Sequence, residues 1–295
     1  MCGDSKSSPD ASVMLGMQMP NTDKWSQRVT TALGQNPSAF TGPGTNTYLV
    51  GTGEERILLD TGDGRPEYLP VLEEAIEQSG CRSIQEIVLT HGHPDHIGGV
   101  QSIFDHFGPC RVTKMKYDAF DSPYDFEIHE IADGDQISTE GATLHALHAP
   151  GHAPDHICFM LEEERALFTG DNVLGVGTTI IPADSGSLAD YMDSLHYLLA
   201  QKPEHLFPAH GPLVTNGMEK IQEYIDHRLN REQQILAAMQ QGAENVQAIV
   251  EIIYAAYPKS LHAAAGQSVT SHLIKLESEG QVQSVPNTQQ GWTLL

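Results

Sequence analysis

Basic side chains are scarce in this chain of 295 residues: 16 Lys and Arg stand against 39 Asp and Glu, a formal charge of −23. Proteins that bind nucleic acid neutralise its phosphates mainly with Lys and Arg. A chain this acidic should therefore bind RNA weakly unless its site is locally basic. The densest basic patch comprises Arg111, Lys114 and Lys116, and it fits a solvated strand edge as well as a substrate contact.

Cysteines and long apolar runs are also scarce. The four cysteines show no paired spacing, which excludes a disulfide framework and indicates a reducing compartment. No apolar run approaches the length that spans a membrane, and the first twenty residues contain neither a secretory core nor an arginine-rich amphipathic pattern. We therefore expect a cytoplasmic protein with no membrane partner; a mitochondrial location and a lipid anchor at Cys2 are the alternatives.

What the chain does have is a dense histidine cluster, Thr90-His91-Gly92-His93-Pro94-Asp95-His96. A short apolar run precedes it and Gly98-Gly99 follows it, which predicts a loop at the end of a buried strand. Such a loop can aim successive side chains at one point, whereas side chains within a strand alternate between its faces. Nitrogen and oxygen donors placed this closely suit a borderline metal such as zinc.

Three later segments share one pattern, an apolar run followed by a donor beside glycine. These donors are His152, Asp171 and His210. Each segment predicts a strand that ends in a loop carrying one ligand. With the histidine cluster they supply seven donors, which suits two four- or five-coordinate metals that share one carboxylate and one hydroxide.

These motifs, in this order, resemble the metallo-beta-lactamase superfamily, whose pattern is His-x-His-x-Asp-His followed by a His, an Asp and a final His. The resemblance covers residues 24–226 and implies an α/β fold, a four-layer αββα sandwich of two facing sheets with helices outside. It also implies two Zn²⁺ ions, with iron or manganese as alternatives. His91, His93 and His152 would hold the first metal; Asp95, His96 and His210 would hold the second; Asp171 would bridge them.

The same resemblance suggests roles in catalysis and support. It implies hydrolysis by a metal-bridging hydroxide, and Asp95 and His96 are our candidate catalytic residues; Asp95 could be ligand, water-orienting base or proton carrier. Asp60 matches the superfamily's first motif and would fix the tautomer of a ligand without binding metal. Asn46, on an early strand, and His156, four residues after His152, are candidates for contacting either the substrate or a ligand.

Three further stretches resemble the beta-lactamase-like protein 2 family: 44–51, 140–144 and 231–236. That resemblance extends over nearly the whole chain and implies a dizinc hydrolase with a C-terminal winged helix. The animal member is implied to cut single-stranded RNA. The chain departs from the animal proteins at Gly92 and Pro94, where they carry bulkier or basic residues.

We predict a disordered tail over residues 1–22, a hydrolase domain over 23–226 and a small winged-helix domain over 227–295. Apolar spacing predicts helices over Glu67–Gln78, Leu188–Ala200, Ile221–Ala238, Val246–Tyr257 and Val269–Ser278, then a hairpin through Pro286-Asn287. The third winged-helix helix carries one lysine, Lys275, whereas a reader of duplex DNA would be basic there. We therefore expect no duplex DNA partner and favour a packing or dimerising module, so that a homodimer is possible.

Three functions remain open. Endoribonuclease-like phosphodiester cleavage in single-stranded RNA is favoured by the family resemblance. An acyl hydrolase for a thioester, lactone or other small ester is favoured by the acidic composition, since the same hydroxide attacks carbonyl groups and a fold does not fix a substrate. A non-catalytic metal-binding scaffold is disfavoured by the complete set of predicted ligands.

Overall fold

Two β-sheets form the centre of the protein, whose computed structural model describes residues 16–285 and 291–295. The first sheet takes its seven described strands in chain order: β1 (Thr22–Lys24), β2 (Val29–Leu33), β3 (Asn46–Val50), β4 (Glu55–Leu59), β5 (Ser83–Val88), β6 (Arg111–Lys114) and β7 (Ile128–Glu130). The second comprises β8 (Gln136–Thr139), β9 (Ala142–His148), β10 (Ile157–Leu161), β11 (Ala166–Gly170) and β12 (His205–Pro208). Its spatial order is β12-β11-β10-β9-β8.

Helices cover the outer faces and build the C-terminal region. They are α1 (Tyr68–Ser79), α2 (Pro94–Ile97), α3 (Val100–Phe107), α4 (Asp118–Asp121), α5 (Leu188–Ala200), α6 (Gly217–Gln240), α7 (Val246–Ile253) and α8 (His262–Ser278). Short 3₁₀ turns lie at Glu162–Glu164 and Lys259–Leu261, and the chain ends in the hairpin β13 (Val282–Ser284) and β14 (Trp292–Leu294). The bounds of α5 are those predicted, whereas α7 ends four residues early and α8 begins seven residues early.

Alternating apolar side chains explain the layers. On β3, Tyr48 and Val50 face the second sheet and pack with Phe159, while Leu49 between them faces outward toward α1. The same alternation on β10 and β11 gives the second sheet one face toward the first sheet and one toward α5 and α6. Both sheets are thus buried on two faces, and the four-layer α/β/β/α order is confirmed.

The strand directions bring the predicted donors to one edge of the sandwich. β4 and β5 are parallel, as are β11 and β12, so the loops after these strands leave at the same side. β9 runs antiparallel to β10, which runs antiparallel to β11, so β9 ends at that side too. Ligand-bearing loops that are far apart in sequence therefore meet.

Helix α6 runs without a break through residues 226 and 227, where the sequence predicts a domain boundary. Its first half packs in the hydrolase layer through Ile221 and Tyr224. Its last turns pack through Ile235 and Met239 against the winged helix, where Leu273 is also buried. No proline or internal glycine interrupts the sequence of this helix, so nothing local ends it at the boundary.

Two residues of the predicted disordered tail, Asn21 and Thr22, form backbone contacts with the first sheet. The backbone carbonyl of Asn21 accepts a hydrogen bond from the amide of Leu33, and Thr22 begins β1. Residues 1–15, with the proposed anchor at Cys2, lie outside the described residues, as does the predicted Pro286-Asn287 turn. Among the described helices, none has both the length and the apolar character needed to cross a bilayer.

A buried histidine should make stability depend on pH. His272 on α8 is 1% exposed, and burial lowers its pKa to about 4, with Arg228 and Arg231 of α6 adding to the effect against the opposing influence of Glu232. An unfolded chain protonates histidine near pH 6.5. Between these values the unfolded state binds the extra proton, so stability falls as pH falls from about 6.5 to about 4.

We expect His272→Gln to reduce this dependence but not to abolish it, because burial also lowers the pKa of His227 to about 4. At pH 5 the free energy of unfolding of the wild type should be about 1–2 kcal/mol lower than at pH 7.5, because His272 stays neutral in the folded state. Melting curves of metal-free protein at the two pH values would measure it, with His129→Gln, a half-exposed histidine on β7, as the control. Equal losses of melting temperature in the wild type and His272→Gln would contradict the expectation.

Candidate metal centre

Seven side chains from four separate loops meet at the shared edge of the sheets. Their donor atoms form two groups, and within each group all donor atoms lie within 4.8 Å of one another. The first group is His91, His93 and His152, and the second is Asp95, His96, Asp171 and His210. The structure thus brings together every residue that the motifs marked as a candidate ligand.

Tight backbone packing sets the path of the histidine loop. Pro94 begins the single-turn helix α2, and Gly98-Gly99 follows it. A β-carbon at Gly99 would clash with the carbonyl oxygen of Thr61, and the hydroxyl of Thr61 donates to the carbonyl of His96 at 2.6 Å. The loop after β5 is therefore pressed against the loop after β4, which carries Asp60.

The first group consists of three imidazole nitrogens that face each other. His93 Nδ1 lies 2.9 Å from His91 Nε2 and 3.0 Å from His152 Nε2. Burial and the neighbouring imidazoles hold the pKa of His91 well below its usual range, and burial lowers that of His93 to about 4. Neutral imidazoles present lone pairs, which is the state in which histidine binds a metal.

Asp171 lies between the two groups and offers one oxygen to each. Its Oδ2 lies 3.5 Å from His152 Nε2, while its Oδ1 lies 3.0 Å from His210 Nε2. Asp95 Oδ2 completes the second group at 3.4 Å from His210 Nε2. Burial alone would lower the pKa of His210, but Asp171 and Asp95 raise it to about 9.

The donor set fits a pair of divalent metal ions. His96 Nε2 and Asp171 Oδ1 are buried 3.5 Å apart, yet among the described residues neither has a partner in a well-formed hydrogen bond. Buried polar atoms are rarely left in that state, and a cation between them satisfies both. Five imidazoles and two carboxylates suit zinc, and they also suit iron.

Asp60 supports His96 and lies outside the two donor groups. Its Oδ2 accepts from His96 Nδ1 at 2.8 Å, and its Oδ1 accepts from the amide of Thr90 at 2.8 Å. The Thr90 hydroxyl donates to the same carboxylate at 2.9 Å. Because Asp60 holds the proton of His96 on Nδ1, the Nε2 lone pair is directed at the second group.

Asn46 and His156 form hydrogen bonds with the backbone at or beside candidate ligands. The Asn46 amide donates to the carbonyls of Pro208 and Gly211, at 2.9 and 2.8 Å, and so brackets His210. His156 Nε2 accepts from the backbone amide of Asp171 at 3.1 Å. Both side chains are buried, so of the two roles open to them in the sequence, the structure favours holding a ligand loop over touching a substrate.

Lys114 is neither a solvated strand edge nor a substrate contact. Its side chain is fully buried, and its Nζ lies 2.6 Å from Asp155 Oδ2 and 2.7 Å from Asp121 Oδ1. A β-carbon at Gly92 would lie 2.5 Å from the β-carbon of Phe120, beside Asp155. The lysine therefore ties α4 and the His152 loop together behind the histidine motif, and Gly92 leaves the space that Phe120 occupies.

A cavity of about 90 Å³ opens beside the donors. Its rim includes Phe40 and Ile180, which are 71% and 43% exposed. The remaining lining residues are Ala39, His152, Asp171, Leu174, Val176, Gly177, Thr178, Thr179 and His210. Residues 176–179 thus border the pocket. Phe40 was not among the sequence candidates, because no local pattern marks an isolated exposed aromatic residue.

Comparison with known proteins finds two family models along the chain. Residues 40–210 match the metallo-beta-lactamase superfamily, and residues 246–292 match the beta-lactamase associated winged helix domain. The Drosophila melanogaster protein named beta-lactamase-like protein 2 homolog is 42% identical over 276 residues, covering 90% of this chain and 92% of that one.

Two further relatives differ in what their names describe. An Aspergillus chevalieri protein named atrochrysone carboxyl ACP thioesterase is 36% identical, covering 90% of this chain and 85% of that one. A solved structure described as a di-iron-bound form is 29% identical, with a TM-score of 0.50, and covers 60% of this chain and 92% of that chain. The matches thus include both the predicted hydrolase domain and the predicted winged-helix domain.

Proposed function

We propose a function for this chain, which belongs to the metallo-beta-lactamase superfamily and carries its associated winged helix. In this proposal it is a dinuclear zinc hydrolase that cleaves a thioester or small ester with an apolar acyl group. The observation that carries the substrate class is the pocket: its rim is apolar and, among the described residues, its lining includes no lysine or arginine. The likeness to a named thioesterase supports the same chemistry.

In this proposal the seven donors would hold two metals, and Asp171, which offers one oxygen to each donor group, would contribute to both sites. Bound divalent ions polarise a carbonyl oxygen and lower the pKa of a water molecule. His96 is fully buried and acts as a ligand. The Asp95 side chain keeps 26% of its surface exposed, compared with 12% for Asp171, so we assign to the Asp95 carboxylate the role of taking the proton of the attacking water.

The size of the pocket and the charge of the chain favour an acyl substrate over a phosphodiester. A 90 Å³ cavity admits only the reacting group, and the rest of the substrate must lie over Phe40 and Ile180. An acyl chain would cover these apolar side chains. An RNA strand would bring further phosphates against a chain of charge −23 without basic side chains at the pocket to neutralise them. Cleavage of single-stranded RNA therefore stays a prediction and ranks second.

A substrate panel tests the proposal. Zinc-loaded protein, with its metal content measured, is assayed on acetyl, octanoyl and benzoyl thioesters and on labelled single-stranded RNA. We expect turnover of thioesters, with kcat/KM higher for the larger acyl groups. RNA cleavage without thioester turnover would transfer the assignment to a ribonuclease. With both metals bound, an absence of turnover on every substrate would favour a metal-binding scaffold.

Phe40 should determine acyl preference. We expect Phe40→Ala to lower kcat/KM for the octanoyl thioester roughly tenfold, since part of the apolar contact is lost, and to leave the acetyl thioester nearly unchanged. Phe107→Ala, at the exposed end of α3, is the matched control. An equal loss for both thioesters would show that Phe40 acts on the pocket as a whole and not on the acyl group.

A further inference from the structure

Three successive carbonyl groups beside the pocket each accept a hydrogen bond from a different part of the protein. The carbonyl of Ile180 accepts from Nδ1 of His152 at 2.9 Å. The carbonyl before it, of Thr179, accepts from Nη2 of Arg228 on α6 at 2.6 Å. The carbonyl after it, of Ile181, accepts from the hydroxyl of Ser271 on α8 at 2.8 Å. Adjacent peptide groups thus connect a candidate ligand to the C-terminal helices.

The segment that carries these carbonyls depends on such outside contacts. Residues 172–187 are all described and contain no helix or strand. Another α6 side chain, Tyr224, donates its hydroxyl to the carbonyl of Gly177 at 2.8 Å and accepts from the amide of Leu174 at 2.9 Å. Buried backbone groups outside a regular ladder need other hydrogen-bond partners, and α6 supplies two of them, the side chains of Tyr224 and Arg228.

The donors are themselves fixed in place. The guanidinium of Arg228 lies over the ring of Tyr191, 5.3 Å from its centroid. One turn further along α6, Oε1 of Glu232 forms an ion pair with Nζ of Lys275 on α8 at 2.9 Å, and this lysine stands one turn after Ser271. These charged groups are nearly buried, so the two helices hold each other in one arrangement and present Arg228 and Ser271 together.

We propose that the winged helix positions the catalytic pocket of its own chain, with Arg228 and Ser271 as the positioning residues. They place the Ile180 carbonyl where it keeps the proton of His152 on Nδ1 and leaves Nε2 free for the first donor group. They also fix the apolar rim formed by the Ile180 side chain. This inference rests on the proposed function only in taking His152 as a metal ligand.

The test compares Ser271→Ala, Ser271→Thr and Arg228→Met in the full-length protein. Thr270→Val is the matched control, since the Thr270 hydroxyl donates within α8, to the carbonyl of Gly266. Zinc affinity is measured by competition with a chelating dye, and hydrogen exchange of residues 172–187 is measured in the metal-free protein. We expect about two- to tenfold weaker binding of one zinc ion in Ser271→Ala, a larger loss in Arg228→Met, and recovery in Ser271→Thr.

The outcomes separate this inference from the proposed function. Faster exchange confined to 172–187, with weaker binding of one zinc ion and a lower kcat, supports positioning. Exchange and zinc affinity equal to those of Thr270→Val in both Ser271→Ala and Arg228→Met would overturn it, whatever the change in melting temperature. If the wild type turns over no thioester while these variants still loosen the segment and bind zinc more weakly, the proposed function fails and the positioning role stands.

Discussion

Asp171→Asn should abolish hydrolysis, with kcat/KM at least about a thousandfold lower, and should leave at most one metal per chain. The change keeps the size of the side chain but replaces one of the two oxygens that face the two donor groups. An amide nitrogen presents hydrogens and no lone pair. Loss of metal catalysis removes several kcal/mol of transition-state stabilisation, and about 4 kcal/mol already corresponds to a thousandfold.

The measurement combines metal analysis with kinetics on the preferred thioester. Asp105→Asn, an exposed change on α3, controls for the loss of one negative charge. If Asp171→Asn retained two tightly bound metals and its turnover, Asp171 would not be the bridging ligand. The same variant also identifies contaminating nuclease, because RNA cleavage that survives the change does not come from this site.

Asp60→Asn should weaken metal binding or activity by about 10–100-fold, the usual effect of losing a partner that orients a ligand. The Asp60 carboxylate acts only as an acceptor in the hydrogen bonds described above. The donors are His96 Nδ1 and the amide and hydroxyl of Thr90. An asparagine must turn its own NH₂ toward one of them. If it faces His96, the imidazole proton moves to Nε2 and occupies the position that a metal needs.

The backbone does not explain the expected loss. Asp60 has a φ of 59°, in the left-handed region, which asparagine adopts at least as readily as aspartate. Asp63→Asn is the control, because Asp63 stands in the same loop and is paired with the exposed Arg65. Chelator competition should show weaker binding of one metal in Asp60→Asn alone; equal affinities in the two variants would contradict a tautomer-fixing role.

The sequence predicted those parts of the site that local patterns encode. His152, Asp171 and His210 each follow an apolar run and stand beside glycine, so strand ends and donors could be read together. The role of Asp60 beside a ligand was implied by the family resemblance, since Asp60 matches the superfamily's first motif. The four layers were implied by the family resemblance, and the fully buried strand β3 agrees with them.

Other features depend on partners that are distant along the chain. Nothing near Lys114 shows that Asp155, 41 residues later, will bury and pair with it. The start of α8 was missed because residues 262–268 are mostly small or polar and lack large apolar side chains at helical spacing. The end of α7 was overestimated because apolar residues continue past Ile253, toward Pro258, before which the helical conformation is disfavoured.

Because one uninterrupted helix packs against both halves of the protein, the junction between the two matched regions of the chain is not a hinge. Any exchange of the C-terminal module for another would also remove hydrogen bonds that hold the segment beside the pocket. Changes that alter the module's packing should then be felt as altered selectivity, even when they lie far from the bond being cut. The two halves match different family models, but substitutions in one half should alter the structural requirements of the other.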